Sequence, residues 1–384
     1  MGIINFLKKA WKESEKHVTA PSVPKQPSSS SGNTPRSKPA PKYVPEYEIE
    51  PIYKQKLANG LLPGEIILID WISGKTSEAP FPRYFETTYG INAKRSFNKL
   101  VKEAYVGEGT TMEALGSFKV PRLKEILKSK NLKVSGKKAD LIARIEEYFT
   151  DVEIESYVDR NVYKATAKGE EALNEYYYIV PAHRFDTKDG VYNAANAIRH
   201  VKKFDYNPPN GDISWGLFQL AYMEYAKERS YGLMRNVITN KAAQLKREEK
   251  YETSLFHYLR VFIFDTSGLS NGRHLDHPDI LLPLPANKHI IDLMEILEMS
   301  ENELRELFEN TWDKTRNELP YHYLTLDECY RCLLLSMEEN KEEIEDLYRD
   351  AYKRLNEKYD DVSFYETFGV HIPYNPNERF SRFD

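Results

Sequence analysis

Apolar side chains recur at helical spacing through most of the chain, and the stretches that break the pattern mark its organisation. Residues 3–14 set Ile3, Ile4, Phe6, Leu7, Ala10 and Trp11 mostly opposite Lys8, Lys9 and Lys12, which predicts a short amphipathic helix over 1–14. Residues 15–48 have no such period. Pro21, Pro24, Pro27, Pro35, Pro39, Pro41 and Pro45 punctuate them, with Ser28 to Ser31 between. Such a segment buries too little apolar surface to offset the entropy of ordering, so it reads as a disordered basic linker. Hydrophobic content returns at 49. Glu65 to Trp71 is a short apolar run that fits a strand or a buried helix end. Pro80, Pro82 and Tyr89-Gly90 mark turns, and Arg95 to Tyr105 is helical by pattern. Thr166 is placed to cap a helix from Ala167 to Tyr177, with Leu173 and Tyr176 on its inner face. From Asn193 onward the pattern is helical, apart from a Pro-rich break from Leu275 to Pro285.

Residues 115–149 carry the most explicit local instructions. Pro121 suits a first helical turn, where its missing N–H is no loss. Leu123, Ile126 and Leu127 then form one apolar stripe, and Asn131 can take the left-handed conformation that ends a helix. Leu132 and Val134 alternate inward through a connector. Ser135 is expected to cap the second helix, with Gly136 turning the chain and Leu141, Ile142 and Ile145 supplying the second stripe. Lys124 and Lys128 share one side of the first helix. Lys133, Gly136, Lys137 and Lys138 gather at the start of the second, with Arg144 further along it. A helix N-terminus offers free N–H groups and a positive dipole end to a phosphate, and lysines beside it add contacts that release counterions from DNA.

This stretch resembles the SAP family of small helix–turn–helix modules. The resemblance rests on Val120-Pro121, Leu123-Lys124, Leu127, Leu132, Gly136-Lys137-Lys138, Leu141-Ile142 and Arg144-Ile145. It implies contact with duplex DNA, often AT-rich, with little base readout. Position by position, it assigns Gly136, Lys137 and Lys138 to the turn and helix start that face DNA, with Arg122, Lys133 and Arg144 completing the DNA-binding set. The flanks, including Asp70-Trp71-Ile72-Ser73-Gly74-Lys75 and Tyr163-Lys164-Ala165-Thr166, resemble SAP-containing proteins of Gram-positive bacteria and their phages or mobile elements. Further on, Val237 to Lys246 and Tyr251 to Phe262, with the small residues Ala242 and Ser254 at packing positions, resemble one tetratricopeptide-type helix pair. That resemblance implies a surface for a protein partner.

The fold class is therefore mainly α. A SAP-containing region at 49–184 follows the linker, and an acidic helical domain fills 185–384. With 384 residues and 41% hydrophobic side chains, the chain is long enough for several cores. No run approaches the roughly 20 apolar residues of a spanning helix, and Met1 to Lys16 lacks a secretory signal. Gly2 opens no myristoylation motif, because Leu7 stands where Ser or Thr is required. No membrane partner is expected. Two cysteines, Cys329 and Cys332, fit a reducing, cytoplasmic address. The net charge of −5 is unevenly divided: +6 over residues 1–43, +5 over 115–149 and −10 over 301–384. A basic front and an acidic tail suggest two tasks.

Candidate chemistry is sparse. Cys329-Tyr-Arg-Cys332 has metal-ligand spacing without a second pair, and its helical context favours buried thiols. His274, Asp276, His277 and Asp279 form the densest set of potential metal ligands, and a metal-dependent nuclease would be centred on them. No Walker loop, dinucleotide fingerprint or nucleophile elbow occurs. The leading expectation is a non-enzymatic, cofactor-free adaptor whose SAP module holds duplex DNA and whose helical tail holds a protein. A scaffold that binds no DNA and the nuclease are its rivals.

Overall fold

A computed structural model describes residues 48–159, 162–281 and 287–373. The expected amino-terminal helix at 1–14 and the linker up to residue 47 lie outside them. The described chain is mostly helix and forms two units that divide between Leu217 and Phe218. Residues 185–217 thus belong to the first unit. No helix among the described residues is long and apolar enough to cross a membrane.

Along the first unit run α1 (Pro63–Ile72), α2 (Ala93–Lys102), β1 (Val106–Glu108), α3 (Thr111–Ala114), α4 (Val120–Ser129), α5 (Lys138–Tyr148), α6 (Asp151–Glu155), β2 (Tyr163–Ala165), α7 (Ala167–Glu175), α8 (Ile179–Arg184) and α9 (Ala194–Val201). The ambiguous run Glu65 to Trp71 is helix. Ile66, Ile67, Leu68, Ile69 and Ile72 are all fully buried, and a helix apolar on every side belongs at the centre of a core. Pro63 occupies its first turn. Buried Glu65 takes the Leu62 N–H at 3.0 Å and pairs with Lys99 at 2.7 Å, which satisfies its charge. α2, β2, α7 and α8 pack around α1.

α2 ends at Lys102, short of the expected Tyr105, because Ala104 takes a left-handed φ of 59° and turns the chain into β1. β1 then pairs antiparallel with β2, in the register Val106↔Ala165, Gly107↔Lys164 and Glu108↔Tyr163. Everything from α3 to α6 is therefore an excursion between two paired strands. Thr166 caps α7 as expected, accepting the Gly169 N–H at 3.2 Å. α7 stops at Glu175, with Tyr176 as its cap. Gly169 permits the close approach of α7 to the strand entry, since a Cβ there would stand 2.1 Å from the Tyr105 carbonyl oxygen.

The second unit begins within α10 (Asn210–Glu228) and continues through α11 (Tyr231–Arg247), α12 (Tyr251–Thr266), α13 (Asn287–Ile296), α14 (Glu301–Arg316), α15 (Leu326–Met337), α16 (Lys341–Lys358) and α17 (Asp361–Phe368). The α11–α12 pair is its spine. Ala242 and Ser254 are fully buried where the helices meet, and the Ser254 hydroxyl donates to the Ala242 carbonyl at 2.8 Å. Small residues at that point let the backbones close together, as the spacing predicted. Phe262, Phe308, Tyr348 and Phe364 belong to one core that includes buried residues of α12.

Candidate nucleic-acid interface

The excursion between β1 and β2 has a core of its own. Leu123, Ile126 and Leu127 of α4 meet Leu141 and Ile145 of α5, all fully buried, with Leu115, Phe149 and Ile154 closing the ends. Leu132 and Val134 of the connector pack against it half-buried. Pro121 lies in the first turn of α4, and Asn131 ends that helix with φ 54°. These positions are where the apolar pattern puts them. α6, which contributes Ile154, was not anticipated. The signal was present in Thr150-x-x-Glu153, where Thr150 and Glu153 cap each other.

The start of α5 differs from expectation. The cap residue is Lys137, not Ser135. Gly136 adopts φ 131°, a conformation open to glycine, and this delays the helix by two residues. Capping is done from within the helix: the Asp140 carboxylate accepts the Lys137 N–H at 2.8 Å. A carboxylate already sits on this helix start and offsets the positive end of the dipole there.

The cations divide into two sets. Some are tied to the module itself. Arg144 Nη1 donates to the carbonyls of Lys133 at 2.7 Å and Ser135 at 3.3 Å, holding the connector against α5. Lys138 Nζ donates to the Gly116 carbonyl at 2.6 Å. Arg122 pairs with Glu125 at 3.2 Å, its guanidinium 5.7 Å from the Tyr157 ring centre. Lys130 pairs with Glu153 at 2.7 Å; that contact, followed by the Thr150 N–H, pulls the Glu153 carboxyl down to about 2.

The second set is unengaged. Among the described residues the side chains of Lys119, Lys124, Lys128, Lys133 and Lys137 have no ion-pair partner; Lys124 is half-buried and the other four are exposed. Lys119 sits at the cap of α4, a position the sequence reading passed over. Of the six expected DNA-binding residues, Lys133 and Lys137 thus carry free charge. Lys138, Arg144 and Arg122 have internal partners, and Gly136 shapes the turn.

A comparison with known families bears on this stretch. The SAP domain model matches residues 114–150. The chain carries a SAP domain. The match spans α4, the connector and α5, including all six of those residues. No curated protein and no solved structure matches the chain.

The other candidate centres do not assemble. His274 stacks on His371 with ring centres 4.9 Å apart, Asp276 accepts from the Ser270 hydroxyl at 3.1 Å, and His277 meets Tyr352 edge-on. The Asp279 side chain is outside the description. Among the described residues no three His, Cys, Asp or Glu side chains group as metal ligands would. The alternative reading of these residues as a metal centre gains no support from their placement: His274, Asp276 and His277 each meet a different neighbour. Cys329 and Cys332 are buried free thiols inside α15, as the helical context indicated. Burial drives the Cys329 thiol well above its ordinary range and pushes Cys332 up to about 12.

Proposed function

We propose that this protein is a non-catalytic adaptor that binds duplex DNA through its SAP domain and a protein partner through its carboxy-terminal helical unit. The DNA reading is carried by one observation: five lysines without ion-pair partners, distributed over α4, the connector and the start of α5, within a domain that matches a general DNA-binding module. Lysines left unneutralised by their own domain are the form of charge that phosphates use, because each contact releases condensed counterions. Backbone contact of this kind gives affinity with weak sequence preference. Arg144 supports the interface by fixing the connector between Lys133 and Lys137 rather than by presenting its own charge. The buried free thiols are compatible with a reducing cytoplasm, and the flanking sequence resemblance implies a bacterial or mobile-element origin.

The test is a fluorescence-anisotropy titration of the full chain against labelled duplex DNA at low and moderate salt, beside a Lys137→Glu, Lys138→Glu variant. Salt-sensitive binding that collapses in the variant is the expected result. An intact chain with no affinity even at low salt overturns the DNA reading and leaves the module to protein contacts.

A further inference from the structure

The connection from α9 to α10, residues 202–209, sets two aromatic rings out in solvent. Phe204 is 37% exposed and Tyr206 59%. Their ring centres stand 5.3 Å apart with the planes at 67°, edge to face. The pair is held from both ends. Phe204 meets the ring of buried His200 at 5.1 Å, and Gly216 on α10 lets that imidazole sit close, since a Cβ there would stand 2.7 Å from His200 Nε2. The N–H groups of Lys203 and Phe204 donate to the carbonyls of His200 and Val201, each at 3.0 Å. On the far side Pro208 is buried and its carbonyl accepts the Tyr177 hydroxyl, while the Pro209 carbonyl accepts the Asp212 N–H at 3.0 Å. Rings fixed in this way lose little freedom when a ligand covers them.

Lys202 and Lys203 precede the rings. Both are exposed and, among the described residues, without an ion-pair partner. Asp205, between the rings, offsets only one of the two charges. The Lys203 charge reaches the surface that carries Phe204: after burial, it is the second cause that lowers the pKa of His200. Open rings alone would suit any apolar partner. Open rings beside two cations fit a ligand that carries flat apolar faces and negative charge at short intervals. A single nucleic-acid strand has that chemistry, with bases that stack on aromatic side chains and phosphates that meet lysines. Paired bases are already stacked inside the helix, so a blunt duplex offers this loop no base.

We propose that Phe204 and Tyr206, with Lys202 and Lys203, form a stacking platform for unpaired nucleotides, so that the DNA this protein holds best is a duplex with a single-stranded extension. The duplex part of this proposal rests on the SAP reading given above; the strand part rests on the loop.

Fluorescence anisotropy of the full chain tests it, with labelled probes that differ in one feature: a blunt duplex, the same duplex with an oligothymidine tail, the same duplex with an abasic tail, and the oligothymidine alone. The oligothymidine tail is expected to tighten binding over the blunt duplex by at least about fivefold, the effect of one stacked base. The abasic tail, which keeps the phosphates, falls well short of that gain. Phe204→Ala, Tyr206→Ala removes the gain and leaves the blunt duplex bound as in wild type, whereas Tyr206→Phe keeps it, because the ring and not the hydroxyl is used. Lys202→Gln, Lys203→Gln lowers the salt slope on the tailed duplex by about 1.4, at about 0.7 per contact on a single strand. No gain from the tail, an equal gain from the abasic tail, or a gain retained in Phe204→Ala, Tyr206→Ala overturns the proposal. If neither duplex binds, the SAP reading fails by itself and the oligothymidine alone decides: binding that the ring variant loses supports the platform, and binding absent or retained overturns it. If the double variant does not fold, Tyr206→Ala takes its place with the same expected outcomes.

Discussion

Neutralising the free lysines of the SAP domain should change how steeply DNA affinity depends on salt. Lys119, Lys124, Lys128, Lys133 and Lys137 are the cations of the domain without an internal partner, which sets an upper bound of five phosphate contacts from this set. With a slope of about −0.9 per contact on a log–log plot, five contacts give about −4.5, or about 500-fold weaker binding from 50 to 200 mM salt. Replacing Lys133 and Lys137 by glutamine removes two contacts, so the slope becomes about −2.7 and the same interval weakens binding only about 40-fold. The assay is an anisotropy titration of one labelled duplex at four salt concentrations. Both positions are exposed, so the substitutions should alter stability by no more than about 0.5 kcal/mol. The same neutralisation at Lys202 and Lys203, also exposed but outside the SAP domain, should leave the slope as in wild type. Parallel lines for wild type and Lys133→Gln, Lys137→Gln would show that these charges do not meet phosphates, and the assignment of the interface would be wrong.

Other outcomes follow from packing and titration. Ile126→Ala empties the fully buried junction of α4 and α5 and should cost about 2–5 kcal/mol; hydrogen exchange should then show residues 114–150 losing protection while α1 keeps it. His322 has a neutral ring with both nitrogens in use, Nε2 toward the Ile263 carbonyl at 3.0 Å and Nδ1 accepting the Leu324 N–H at 3.0 Å. Burial lowers it to about 3, and His257 behaves likewise, so between pH 6.5 and 3 the unfolded chain binds more protons than the native one. Stability should therefore fall as pH drops through that window, by up to about 1.4 kcal/mol per pH unit for each histidine, and chemical denaturation at pH 7, 6 and 5 measures it. A flat profile would mean that the rings are accessible to protons in the folded state. Cys329 and Cys332 should resist a thiol reagent in the native chain and react once it is denatured; rapid native labelling would contradict their burial.

The parts of this architecture that were legible in the sequence are those written locally. The stripes of α4 and α5, the end of α4 at Asn131 and the Thr166 cap depend on residues a turn or two apart, and the pattern placed each of them. The close packing of Ala242 against Ser254 was also visible, because both lie on one helical hairpin. What escaped depended on distant partners. Glu65 to Trp71 could not be assigned because the elements that bury α1 on every side come from far along the chain. The pairing of β1 with β2 joins two three-residue strands across the whole SAP domain, too little sequence to betray itself. At the candidate interface, the count of basic residues was correct but their employment was not visible. Whether Arg144 faces a phosphate or the carbonyls of Lys133 and Ser135 is a matter of three-dimensional reach. His274, Asp276 and His277 illustrate the opposite case, being close in sequence yet lying against His371, Ser270 and Tyr352.

The pairing of β1 with β2 has a further meaning. The chain leaves the body of the first unit at Glu108 and re-enters it at Tyr163, and these two residues are register partners. The SAP domain is thus spliced into a hairpin at adjacent entry and exit points instead of being strung on a tether. A two-residue turn could close the same hairpin in its place and leave α1 and its neighbours undisturbed. The SAP domain is in that sense an insert: its removal should leave the body that carries it with its own fold.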